Sequence, residues 1–211
     1  MRSKTGPGKI RKLFDVHALA ERPFLLNAFG LAFALAGLYV PFFYIGTYTL
    51  QNKIAGPNLA FYLVPIMNAG SIFGRILPNF VADKTGTFNM LTPCTAIAGV
   101  LCLCWIGIHN APGLIVFAVL YGFFSGTFLS LPQLAVAVLT KDMRMLGTRT
   151  GTCFATACFG VLVGTPICGA ILSRTGQFVG LQIFGGCCIL AAAAFVGFAR
   201  VAEAGWAFTK I

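Results

Sequence analysis

Six runs of uncharged, mostly apolar residues, broken by a single arginine, constrain what this chain can fold into. They occupy positions 24–50, 59–82, 88–108, 113–139, 150–172 and 178–199. About 20 such residues, rising about 1.5 Å each, cross the hydrocarbon core of a bilayer as a helix. Backbone N–H and C=O groups find no water there, so only helices and closed barrels can span. Barrels are built from short alternating segments, and these runs are continuous. The expected fold class is therefore an all-α membrane protein with six transmembrane helices. With 58% hydrophobic and 9% charged residues, a soluble domain is excluded.

The arginine is Arg75, in the second run. Asp83, the next charge, is eight positions on, or roughly 12 Å along a helix. An arginine at membrane depth costs on the order of 3 kcal/mol, so it faces a cavity or a partner. A structural arginine that snorkels or bonds backbone carbonyls is the plainer reading. The five acids argue against an internal counter-ion: Asp15 and Glu21 precede the first run, Asp83 and Asp142 fall between runs, and Glu203 follows the last. An arginine without a carboxylate beside it is suited to an anionic ligand, most simply a carboxylate met by two parallel hydrogen bonds.

Lysine and arginine set the orientation. Arg2, Lys4, Lys9, Arg11, Lys12 and Arg22 lie before the first run, and Lys84, Lys141, Arg144, Arg149, Arg200 and Lys210 lie on the same side; only Lys53 and Arg174 lie opposite. Both termini are expected in the cytoplasm, with a basic arm at 1–22, a six-helix domain at 23–200 and a tail at 201–211. The net charge of +10 follows from this bias and does not call for nucleic acid. Within the arm, Ile10, Leu13, Phe14, His17 and Ala18 recur at helical spacing beside Lys9, Arg11 and Lys12, a pattern that suits a helix on an anionic leaflet as well as an ordinary linker. No cleavable signal is visible, because the run at 24–50 is too long for one. The expected location is a multi-pass membrane protein of the plasma membrane, or of a vacuolar or other internal membrane.

Along the helices, Tyr44 is deep enough to reach a central cavity, although interfacial or packing roles suit it too. Gly70 and Gly74 form a small-xxx-small face, and Pro78 frees a carbonyl that a neighbour or cavity must satisfy. The fourth run mixes Gly122, Gly126, Phe128, Ser130, Pro132 and Gln133, which reads either as a cavity wall or as helix packing. The sixth is the most uniformly apolar and is expected to be peripheral. Pro41 and Pro132, and likewise Pro78 and Pro166, fall at matching depths in runs of opposite direction, the pattern of a 3+3 inverted repeat. All eight cysteines lie inside runs without CxxC spacing, and His17 and His109 are isolated. No metal site, catalytic constellation or cofactor is expected.

The string Asn79-Phe-Val-Ala-Asp83-Lys84-Thr-Gly86 resembles the GxxxD[RK]xG loop signature of the major facilitator superfamily. NAGSIFGRILPNFVAD, LYVPFFYI, LTKD, GTRTG and GTPICGAIL together resemble its fungal monocarboxylate-transporter-like branch. The resemblance covers almost the whole chain and implies the C-terminal half of a twelve-helix transporter, helices 7 to 12, with an N-terminal half elsewhere. It implies a conformational loop at Asn79, Asp83, Lys84 and Gly86, although Asn79 replaces the signature's first glycine. Arg75 matches an arginine that animal relatives use with substrate carboxylate. Ser71 stands where those relatives carry an aspartate that takes part in proton coupling.

The function expected is transport of a small organic anion, such as a monocarboxylate, by alternating access in a lipid bilayer. Arg75, Ser71, Asn68, Tyr44, Phe128 and Ser130 are the candidate substrate-binding residues. The missing aspartate points instead to export of a hydrophobic secondary metabolite. A third reading is a truncated or non-transporting half that acts as an assembly partner. An enzyme has the least support, since no nucleophile is paired with a base or a metal.

Overall fold

The computed structural model describes residues 20–140 and 142–205. The proposed surface helix of the arm and most of the tail lie outside them. Among the described residues, six helices are long and apolar enough to cross a membrane. They are α1 (Arg22–Gln51), α2 (Pro57–Thr85), α3 (Thr87–Cys104, continued by a 3-10 turn at Trp105–Gly107), α4 (Ala111–Val138), α5 (Leu146–Thr175) and α6 (Val179–Ala204).

Local chemistry sets the boundaries. Proline opens the first turns of α1, α2 and α4, where its missing N–H would have no intrahelical acceptor. Asn110 caps α4 by accepting from the Gly113 N–H at 2.9 Å. Between α2 and α3 there is one residue, Gly86, at φ +103°, a conformation a side chain would resist.

In a bilayer, helices are held by close packing and interhelical hydrogen bonds rather than by escape from water. The closest approach joins α2 to α4. A Cβ at Gly74 would lie 1.8 Å from the Phe123 carbonyl oxygen, and one at Gly122 would lie 2.2 Å from that of Met67. Gly70 and Gly126 extend the same seam, so the small face read on α2 is met by a second one on α4. The glycines of the supposed cavity wall are thus packing glycines. Pro78 cannot bond the Gly74 carbonyl, and the Thr127 hydroxyl of α4 donates to that oxygen at 2.9 Å. The neighbour required by the sequence is therefore a threonine.

The packing repeats in two units of three helices. The α2–α4 seam has its counterpart in α5–α1, where Gly160 and Gly164 lie against the backbone at Ala32 and Ala36. Likewise α1 packs on α6 as α3 does on α4, while α3 and α6 meet each other. Exchanging the first three helices with the last three maps every substantial contact onto another or, for α3–α6, onto itself, as a 3+3 repeat requires.

One expectation is overturned by this packing. Helix α6 is not peripheral: it packs along α1 and α3 and fully buries Leu181, Ile189 and Ala192. Its glycines explain the difference, since at Gly37 of α1 a Cβ would come within 2.4 Å of the Gly185 carbonyl oxygen. Uniform apolarity described composition but not proximity. The least buried spans are α2 and α5, which make no extensive contact with each other.

Candidate functional site on helix α2

Helical spacing places Asn68, Ile72, Arg75 and Asn79 on one stripe of α2. Asn68, Ile72 and Arg75 are exposed and Asn79 is half-buried. The stripe borders the α4 seam, and beyond it the exposed surface turns apolar through Phe73, Leu77 and Phe80. Arg75 therefore stands on a polar edge between packed protein and an apolar face. Among the described residues the acids are Glu21, Asp83, Asp142 and Glu203, all at the end of the bundle where α1 begins and α6 ends. None lies at the depth of Arg75. The Asn79 amide donates to the Arg75 carbonyl at 2.6 Å, and its own Oδ1 is buried without a partner. An open cation thus has an unsatisfied acceptor one turn away.

The other candidates divide. The Ser71 side chain, 4% exposed, lies in the α2–α4 seam and donates to the Asn68 carbonyl at 2.7 Å. Phe128, 2% exposed, is part of the core between helices with Phe24, Leu131 and Val136, where an aromatic ring fills space. Neither is on the stripe, because the α4 glycines draw the two helices too close to leave a cavity between them. Ser130 is half-buried and donates to the carbonyl of Thr127, one turn from the bond that reaches Gly74. Tyr44 lines a crevice between α1 and α5 with Tyr39, Phe43 and Thr165 that leaves no room for a water molecule. Only Asn68 and Arg75, with Asn79 from the loop motif, share one face. In that motif Asp83 and Lys84 are exposed, and Gly86 forms the tight turn.

Two polar arrangements were not foreseen. Arg149 is buried rather than a free loop charge: it donates to the Leu139 carbonyl at 2.6 Å, pairs with Glu21 and stacks over the Phe24 ring at 5.3 Å. One side chain thereby ties the start of α1 and the end of α4 to α5. The signal for it was available, since an acid and an arginine stand just before two runs that begin on the same side. At the opposite end His109 is not isolated, for its Nδ1 lies 3.2 Å from the Tyr48 hydroxyl.

Six spanning helices in two exchanged units of three, with an exposed arginine on one of them that has no carboxylate at its depth among the described residues, define a polytopic membrane protein. The comparisons agree. No family model matches the chain. It is 41% identical over 188 residues to the MFS-type transporter dbaD of Emericella nidulans, covering 88% of this chain and 42% of that protein. It is 36% identical to the aspyridones efflux protein apdF of the same organism, over 84% of this chain and 36% of the relative. The agnestins efflux protein AgnL12 of Paecilomyces divaricatus is 37% identical, over 89% and 42%. The crystal structure of a variant of the E. coli fucose:proton symporter FucP superposes with a TM-score of 0.72 at 15% identity, over 87% of this chain and 44% of that one, and shows the fold alone. The chain is thus similar in sequence to MFS-type transporters, and its six helices match half of the fold that the symporter displays. The chain spans less than half the length of these relatives.

Proposed function

We propose that the chain is one half of an efflux transporter for a hydrophobic secondary metabolite bearing an acidic group, and that Arg75 holds that group. The observation that carries this reading is the exposure of Arg75 on the polar edge of α2, with no carboxylate at its depth among the described residues. A guanidinium in that setting meets an oxyanion through paired, charge-assisted bonds. The apolar residues beside it suit the rest of a hydrophobic molecule. Two relatives carry efflux in their names, which favours a secondary metabolite over a simple monocarboxylate.

In this reading the chain is the C-terminal half and works with an N-terminal half of the same fold. The two rock about a midplane site, and the exposed stripe of α2 lines the cavity between them. Asn68 adds an amide hydrogen bond to the ligand, Asn79 braces the turn that carries Arg75, and Ser71 braces the helix behind them. The loop from Asn79 to Gly86 contacts the other half during the switch.

The test is export from yeast cells that co-express the chain with the N-terminal half of a fungal relative. The cells are loaded with an aromatic carboxylic acid or with its methyl ester. Faster export of the acid, lost with Arg75→Gln, is expected. Equal export of acid and ester, unchanged by the substitution, would overturn the proposal.

A further inference from the structure

A polar cavity lies at the end of the bundle where α1 ends and α6 begins. It has a volume of about 280 Å³ and is formed where the end of α1, the α3–α4 link and the turn into α6 meet. Tyr48, Asn52, His109, Gln177, Phe178 and Gln182 are among its walls, and no acidic residue lines it.

Its donors are in excess. Helix α6 begins at Val179 with Phe178 as its N-cap and no side chain capping it, so the N–H groups of its first turn point outward unsatisfied. That end of a 26-residue helix carries a partial positive charge and favours anions. Independently, Gln182 is 1% exposed, lines the cavity, and its buried Nε2 has no hydrogen-bond partner. A buried donor left unmade is costly, so this amide calls for an acceptor. The Tyr48 hydroxyl donates its one proton to the Ile108 carbonyl at 2.8 Å. The field has the same sign: Lys53 and Arg174 flank this end, and all four described acids lie at the other.

We propose that this cavity binds a small oxyanion, received by the first turn of α6 and the Gln182 amide. The oxyanion is either the carboxylate of a free organic acid or the phosphate of a lipid headgroup. The site is separate from Arg75 and does not rest on the transport reading.

Trp105 reports on it, because its ring meets Tyr48 edge-on at 5.2 Å. With Trp206→Phe as background, sodium acetate is titrated against sodium chloride at constant ionic strength while tryptophan emission is followed. The chain is placed in maltoside micelles and in phosphatidylcholine nanodiscs. A saturable response to acetate is expected in micelles, weakened at least tenfold by Gln182→Leu and by Gln177→Glu, a change on the exposed rim that adds a negative charge. Arg75→Gln leaves it unchanged. Persistence in nanodiscs identifies a free carboxylate as the ligand, and loss there identifies the lipid phosphate. In membranes solubilised in maltoside without purification, acetate should slow maleimide labelling of Asn52→Cys at least twofold, and Gln182→Leu should abolish the effect. No acetate response in either measurement, or one indifferent to both variants, overturns the proposal.

Discussion

At the scale of single residues, the structure separates a charge that holds the fold from one that stands exposed on a helix face. Arg149 belongs to the first kind. It is buried and engages a carbonyl, a carboxylate and a ring, whereas its partner Glu21 is half-exposed. Hydrogen bonds to charged groups contribute about 1.5–3 kcal/mol each, and a half-exposed carboxylate recovers much of its solvation when its partner is lost. Arg149→Ala should therefore lower the melting temperature of the detergent-solubilised protein clearly more than Glu21→Gln. Equal, small effects in a thermal-shift assay would show that the clamp is unimportant. Arg75 belongs to the second kind, and removing its charge should leave the melting temperature within error of the parent's.

The helices show where the sequence was legible and where it was not. The α2–α4 seam could be anticipated from Gly70, Gly74 and Pro78, since small residues and a freed carbonyl each demand a close partner. That the partner would be Thr127, and that Gly122 and Gly126 would interleave with α2 instead of lining a cavity, depends on which helices meet. A single chain's pattern does not contain that. For the same reason Phe128 read as a ligand residue and is a core one, and α6 read as peripheral and is packed. Asn68 and Arg75 were legible because charge and polarity inside an apolar run stand out regardless of packing. Two substitutions test the seam. Gly74→Ala places a methyl group 1.8 Å from the Phe123 oxygen and should destabilise the fold by about 1–3 kcal/mol, whereas at Gly169 the nearest atom is the Tyr44 hydroxyl at 3.6 Å, so Gly169→Ala should be tolerated. Thr127→Val keeps the shape but strands the Gly74 carbonyl, at a cost of about 1 kcal/mol. Folded yield and thermal stability of the three variants, compared side by side, check the order.

For the whole molecule, the excess of Lys and Arg at one end predicts that both termini are cytoplasmic. Cysteines introduced at Asn52 or Asn110 should then react with an impermeant maleimide from outside. Met143→Cys, in the exposed loop after α4, should react only after permeabilisation. Thr140, at the same end, is buried and would report packing instead of sidedness. The halves of this fold are parallel repeats, so two copies of the chain could meet in the orientation of a full transporter, but two uncompensated Arg75 side chains would then face one cavity and repel. The isolated chain is accordingly expected to purify as a monomer of low stability, and an N-terminal half of a fungal relative should stabilise it when co-expressed. A stable, transporting homodimer seen by light scattering and flux assay would contradict that. The central claim is that Arg75 recognises an anion by geometry as well as charge, and the most direct measurement is the initial export rate of an aromatic acid from the co-expressed halves carrying arginine, lysine or glutamine at position 75. The account predicts a loss of at least tenfold with Arg75→Lys, because the bidentate fork is gone, and a larger loss with Arg75→Gln, with equal surface expression of all three. Rates that stay equal across the three proteins would contradict it.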